Sequence, residues 1–192
     1  MSVTGLLSMM ATWGRRGRTA KQALPGGLLW VLRYASTTDL NLLCLARSPS
    51  RASASGGRLL LADLLRRVDY RSPAASEITQ VLTQERVGEL TGTSKAALFL
   101  ALGNLPGKHK ELGHQAALDV LTETQGLPLT MLKNWIFAGP AADEGLRVVF
   151  SRMDEQRRAA LLAHIGRESE AVLRCHGPVG VKMLLDIDDT LL

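Results

Sequence analysis

Leucine and valine recur at helical spacing from residue 60 onward. Leu60, Leu61, Leu64, Leu65 and Val68 share one face of a helix. Ser72-Pro73 follows as an N-cap with Pro at the first helical position, leading into Ile78, Val81 and Leu82. Ser94 is placed to cap a helix over 95–102, which ends in the turn Gly103-Asn104-Leu105-Pro106-Gly107. The pattern predicts further helices over 111–124, stopped by Gly126 and Pro128, and over 130–137, ahead of Gly139-Pro140. Two more fall near 144–152 and 155–175, the last capped by Asp154. Antiparallel helices joined by short Gly/Pro turns are the natural arrangement. No segment recurs with the 30- to 45-residue period of a helical solenoid.

The pattern changes twice outside that region. Residues 47–57 are Ser, Ala, Gly, Pro and Arg, too small and polar to bury the surface that would offset their ordering entropy. At the far end, His176-Gly177-Pro178 breaks the last helix. The short apolar run Val179-Gly180-Val181-Lys182-Met183-Leu184-Leu185 then reads as a buried strand. The expected organisation is a basic tail over 1–38, a low-complexity linker over 39–58, an α-helical region over 59–176, and one strand with its following loop over 177–192. The fold class is therefore mainly α, with the first strand of an α/β domain at the end.

Composition supports helices, since only 4% of the residues are aromatic while Leu and Ala abound. The net charge of +5 suggests a nucleic-acid partner until its distribution is considered. Residues 1–61 hold eight of the 23 Lys and Arg side chains and one of the 18 acids, leaving 15 bases against 17 acids over 62–192. With no interleaving of aromatic and basic residues, nucleic acid is not an expected partner. The first 38 residues lack acids and carry five Arg or Lys with several Ser and Thr, the composition of a transit peptide. Arg33-Tyr34-Ala35-Ser36-Thr37 has the Arg-aromatic-small pattern of a matrix cleavage site, so the expected location is mitochondrial, and otherwise cytoplasmic. No apolar run approaches the roughly 20 residues of a membrane span. Cys44 and Cys175 lack metal-ligand spacing, and two thiols make no disulfide framework.

The chemistry concentrates in Asp186-Ile187-Asp188-Asp189-Thr190. A carboxylate at the carboxyl end of a parallel strand lies at the crevice where α/β sheets bind ligands. One carboxylate there can attack phosphorus, and a second, two residues on, can protonate the leaving alcohol and then deprotonate water. A magnesium ion lets the anionic nucleophile approach an anionic phosphate.

An apolar strand followed by Asp-x-Asp-x-Thr resembles the first motif of the haloacid dehalogenase superfamily. The resemblance covers residues 180–192 and implies a Rossmann-like domain. By position, Asp186 would be the nucleophile and a magnesium ligand. Asp188 would be the general acid/base and would offer its backbone carbonyl to the metal. Thr190 would steady the loop. Asp-Ile-Asp-Asp-Thr behind a helical region is similar to the phosphatidate phosphatase family first known from fungal actin patches, though that family carries Ser where this chain has Leu185. Class B acid phosphatases share nearly the same pentapeptide. The implied substrate is phosphorylated, with phosphatidate at a membrane surface the foremost example. The superfamily's second, third and fourth motifs lie downstream of the first, so the expectation is the amino-terminal part of a longer enzyme, itself inactive.

The competing expectation is a helical protein-interaction module with an incidental acidic terminus. Gly103-Asn104-Leu105-Pro106-Gly107-Lys108-His109 has some likeness to a phosphate-binding P-loop. It is one residue short, has His109 in place of Ser/Thr, and follows a helix, so it reads as an interhelical turn. His109, His114, His164 and His176 are too scattered for a metal site. Glu168 and Glu170 read as solvated helix charges, and Arg157 and Arg158 as surface pairs.

Overall fold

Alanine and leucine crowd positions 96–102, and these residues form the helix around which the others are assembled. The structure is a computed structural model that describes residues 18–46, 60–68, 73–138 and 142–177. Its helices are α1 (Arg18–Tyr34), α2 (Thr37–Leu45), α3 (Leu60–Arg67), α4 (Pro73–Gln80), α5 (Gly92–Gly103), α6 (Lys110–Thr122), α7 (Gly126–Phe137), α8 (Ala142–Leu146) and α9 (Glu155–His176). Helix α4 runs on as a π-helical turn over Val81–Glu85, and α8 does the same over Arg147–Arg152. Short 3-10 turns occupy Val87–Glu89 and Gly107–His109. No strand occurs among the described residues, and the fold is mainly α.

Helix α5 is central. Helices α2, α3, α6 and α7 pack around it, and the π turn of α8 also meets it. Helix α9 lies against α6 and α7, and α8 against α7. Both π turns lead into a capped helix. The side chain of Thr91 accepts from the Ser94 N–H, and that of Asp154 from the Arg157 N–H. Ala96-Ala97-Leu98 and Ala159-Ala160-Leu161 stand at the same distance from their caps. The first trio is buried on every side, whereas only Leu161 of the second is, because α9 is peripheral. Two glycines let backbones meet. A Cβ on Gly113 would overlap the Leu102 carbonyl oxygen, and one on Gly145 the Ile136 carbonyl oxygen. At Gly103 a Cβ would stand 2.5 Å from Val148 Cγ1.

The core begins well inside the segment expected to be tail and linker. Leu28, Val31 and Leu32 of α1 are fully buried, as are Leu40, Leu43 and Cys44 of α2, so residues 28–46 belong to the folded body. Leu28, Val31 and Leu32 follow the three-and-four spacing of one helical face, and α1 presses on α4 and its π turn. Helix α1 runs through Pro25-Gly26-Gly27. Its carboxyl end is closed from a distance: Arg86 Nη1 donates to the carbonyls of Leu32 and Ala35, each at 2.8 Å. A cation there also opposes the helix dipole.

The same arginine anchors a polar network. Arg86 Nε donates to Glu89 Oε1 at 2.9 Å and Nη2 to Oε2 at 2.5 Å, while the Thr37 hydroxyl donates to Glu89 Oε2 at 2.6 Å. These bonds hold the Glu89 carboxyl down at about 2. Asn41 of α2 donates to the Glu89 carbonyl at 3.0 Å and accepts from the Thr91 N–H at 2.8 Å. The entry to α5 is thus fixed by α2. Burial pushes the Cys44 thiol up to about 12, which leaves it protonated at neutral pH, while Cys175 is exposed.

Local boundaries agree in part with the pattern. Helices α3 and α4 start where expected, and Asp154 caps α9. Helix α5 begins two residues before Ser94, and Thr91 caps it. Gly126 and Pro128 open α7 rather than ending the helix before it. Gly126 takes φ +59° at the turn, and Pro128 sits in the first helical turn, where its missing N–H costs nothing.

Candidate functional site

Asp186, Asp188 and Thr190, and the apolar run ahead of them, lie outside the described residues. So do the linker 47–57 and residues 1–17 of the basic tail. What the structure supplies is the junction that precedes the motif. Helix α9 ends at His176, and the Gly177 that caps it has φ +70° and an N–H that closes on the Leu173 carbonyl at 2.9 Å. Among the described residues no group of three or more His, Cys, Asp or Glu side chains could hold a metal ion. No helix there is long and apolar enough to cross a membrane.

The segment with some likeness to a P-loop forms a helix–turn–helix junction. Helix α5 ends at Gly103, Gly107 takes φ +59°, and α6 starts at Lys110 after a single 3-10 turn. This junction nevertheless borders a cleft of about 340 Å³, lined by Gly103, Asn104, Leu105, Lys110, His114 and Arg152.

His114 stands one turn above Lys110 on α6 and is 1% exposed. Neither of its ring nitrogens has a hydrogen-bond partner in the protein. Burial pushes its pKa down, and Lys110 adds to the effect, against Glu111 and with Arg157 and Arg152. The ring is therefore neutral at pH 7, with one N–H and one bare nitrogen. Arg152 reaches the cleft from the π turn of α8. Its Nη1 pairs with Glu144 Oε1 at 2.7 Å and also donates to Asn104 Oδ1. Asn104 in turn donates to the Leu100 carbonyl at 2.7 Å. One signal in the sequence did point to His114. It precedes Ala117 and Leu121 by three and seven residues, which places it on the buried face of α6.

A second polar cluster joins α5, α9 and the turn between α6 and α7. His164 Nε2 pairs with the Thr124 carbonyl at 3.1 Å, and Lys95 Nζ donates to Thr124 Oγ1 at 3.1 Å. Burial lowers the Lys95 pKa. Glu168 Oε2 accepts the Gly126 N–H at 2.8 Å. Glu168 is thus a cap for α7 supplied from another helix, not a plain solvated charge. Every polar group named here is paired, so the cluster reads as a clasp. Arg157 pairs with Glu111 at 2.5 Å and with Asp154, and Arg158 with Glu155, all at the surface.

No protein-family model, curated protein or solved structure matches the chain.

Proposed function

We propose that residues 177–192 carry the nucleophile motif of a magnesium-dependent phosphatase of the haloacid dehalogenase type, with the helical body ahead of it. The observation that carries this reading is Asp186-Ile187-Asp188-Asp189-Thr190 directly behind the apolar run 179–185. Asp186 is the nucleophile, Asp188 the general acid/base, and Thr190 steadies the loop. The stop of α9 at Gly177 supports the reading, because it separates the apolar run from the helix before it. Two carboxylates and a backbone carbonyl are the hard oxygen donors that magnesium prefers, so the residues of the motif suit that ion. When bound, it would supply charge neutralisation between nucleophile and phosphate. The substrate class is a phosphate monoester, with phosphatidate at a membrane surface as its first candidate.

A mitochondrial address in the acid-free basic stretch belongs to the same proposal. Because Leu28, Val31 and Leu32 are in the core, trimming would fall ahead of Leu28 rather than at Tyr34–Ser36.

The test uses the protein translated from the complete reading frame. Phosphate release from phosphatidate vesicles and from an aryl phosphate is followed with magnesium present. Turnover that disappears in Asp186→Asn is the expected result. Turnover that survives the substitution, or none on either substrate, overturns the proposal. The second reading, a helical interaction module, is favoured by Leu127, Met131 and Trp135. They stand at four-residue spacing along α7 and are 51%, 61% and 46% exposed. Absence of turnover is the outcome it expects.

A further inference from the structure

Two stretches of the chain repeat one another in sequence and in form. Pro73-Ala74-Ala75-Ser76-Glu77 returns as Pro140-Ala141-Ala142-Asp143-Glu144, and Ala96-Ala97-Leu98 as Ala159-Ala160-Leu161, with residues 86–89 inserted in the first copy. In each copy a helix turns π-helical where Val81-Leu82 or Val148-Val149 enters the core, and a helix capped by Thr91 or Asp154 follows. The register extends backward to make α3 the counterpart of α7. Leu65 aligns there with Leu132, and both are fully buried.

One face of these two helices is closed in α3 and open in α7. Leu60, Leu64 and Val68 are 6%, 5% and 3% exposed, whereas the aligned Leu127, Met131 and Trp135 are 51%, 61% and 46% exposed. The side toward the following helix does not differ, since α3 packs on α5 as α7 packs on α9. The helix that leads into each copy does. Helix α2 lies against α3, and the Leu60 N–H donates to the Ala46 carbonyl at 2.7 Å. Helix α6 leads into α7 but turns to α5, α9 and the π turn of α4 instead. Helix α7 thus keeps an apolar face whose counterpart is covered, without the helix that covers it.

We propose that the face formed by Leu127, Met131 and Trp135 docks a short amphipathic helix of a partner protein, one that resembles α2. The covered copy shows what such a helix carries. Helix α2 buries Leu40, Leu43 and Cys44, at the spacing of one helical face, and holds one acid, Asp39, and no base. The charge on the receiving side is kept as well: Arg66 of α3 aligns with Lys133 of α7, and α7 contains no acid. The partner helix therefore has leucine-sized residues at i, i+3 and i+4, an acid beside them and no base. A second copy of this chain pairing through the same stripe would instead bring together two acid-free helices, each with Lys133. The proposal rests on the interaction-module reading of this stripe and names its partner. It stands whether or not the Asp186 motif turns over phosphate.

The experiment titrates the 192-residue protein, isotope-labelled at its methionine methyls, with a synthetic peptide of the 36–46 sequence carrying Cys44→Ala. A hydrocarbon bridge between positions 38 and 42, both exposed in α2, locks the peptide as a helix. Saturable binding that shifts the Met131 methyl resonance is expected, that resonance being the one missing in Met131→Leu. Met131→Glu should weaken binding about tenfold or more, by placing a charge in the apolar contact. Met131 is exposed, so this variant keeps its fold, and circular dichroism checks it. Asp39→Lys in the peptide should weaken binding, and Lys133→Glu in the protein should restore it to that peptide. No Met131 shift, or equal affinity in Met131→Glu, overturns the proposal. A Met131 resonance that moves with protein concentration alone assigns the face to a second copy, and one that moves on deletion of residues 1–17 assigns it to the chain's own amino terminus. Either result also overturns the partner helix.

Discussion

Replacing Leu32 by Ala distinguishes a packed α1 from the basic tail that composition alone suggested. The Leu32 side chain is 0% exposed, and its backbone carbonyl accepts from Arg86 at 2.8 Å. Alanine keeps that carbonyl bond and has the best helix propensity of any residue, so neither the cap nor the local preference of α1 suffers. Only tertiary packing is lost. Fully buried Leu→Ala changes cost about 2–5 kcal/mol, from lost transfer energy plus the cavity left behind. With a urea slope of roughly 2 kcal/mol per molar, the midpoint should fall by about 1–2.5 M at unchanged slope. The Tm should drop by about 4–20 °C, at some 2–4 °C per kcal/mol for a chain of this size. Trp30→Ala is the control two residues away. Trp30 is 49% exposed and meets Tyr34 at a ring separation of 5.6 Å, so its loss should cost about 1 kcal/mol or less. Urea unfolding followed by far-ultraviolet circular dichroism provides the measurement. Equal midpoints for Leu32→Ala and the unmodified protein would refute the placement of α1 in the core and restore the tail.

Gly113→Ala and Gly145→Ala should each destabilise the protein by about 1–3 kcal/mol, because the new Cβ meets a backbone carbonyl that cannot turn aside. Gly88→Ala, with open space around it, should be neutral or slightly stabilising; equal thermal shifts in all three would contradict the close approaches. The Glu89 carboxyl is held at about 2 against an ordinary 4.5, first by Arg86 and then by Thr37. A lowered folded-state pKa gives stability that is complete above 4.5 and is lost as pH falls through about 2. The gap between the unmodified protein and Glu89→Gln should therefore narrow across that window in urea titrations at low salt, and parallel curves would remove Glu89 from the account.

The features legible in the sequence were those decided within a few residues. Asp154 caps α9 because a carboxylate just before a helix reaches the N–H three residues on, here at 2.8 Å. Pro73 opens α4, and the leucines of α3 show their buried face by spacing alone. The proposal for the pentapeptide from Asp186 is likewise a local reading, resting on two carboxylates two residues apart behind an apolar run. The tertiary structure decided what depended on distant partners. Leu28, Val31 and Leu32 form too short a face to outweigh the basic composition around them, and they become core only because α4 supplies the opposing surface. Thr91 and Ser94 both carry capping hydroxyls, and the choice went to Thr91, where Asn41 from α2 takes the Thr91 N–H. Arg86 closes α1 from more than fifty residues away, and Glu168 caps α7 from across the bundle. The His114 cleft belongs to the same group. A helical pattern can place a histidine on an inward face, but whether its nitrogens find partners there depends on which atoms α5 and the π turn of α8 bring beside it, and that is set by packing.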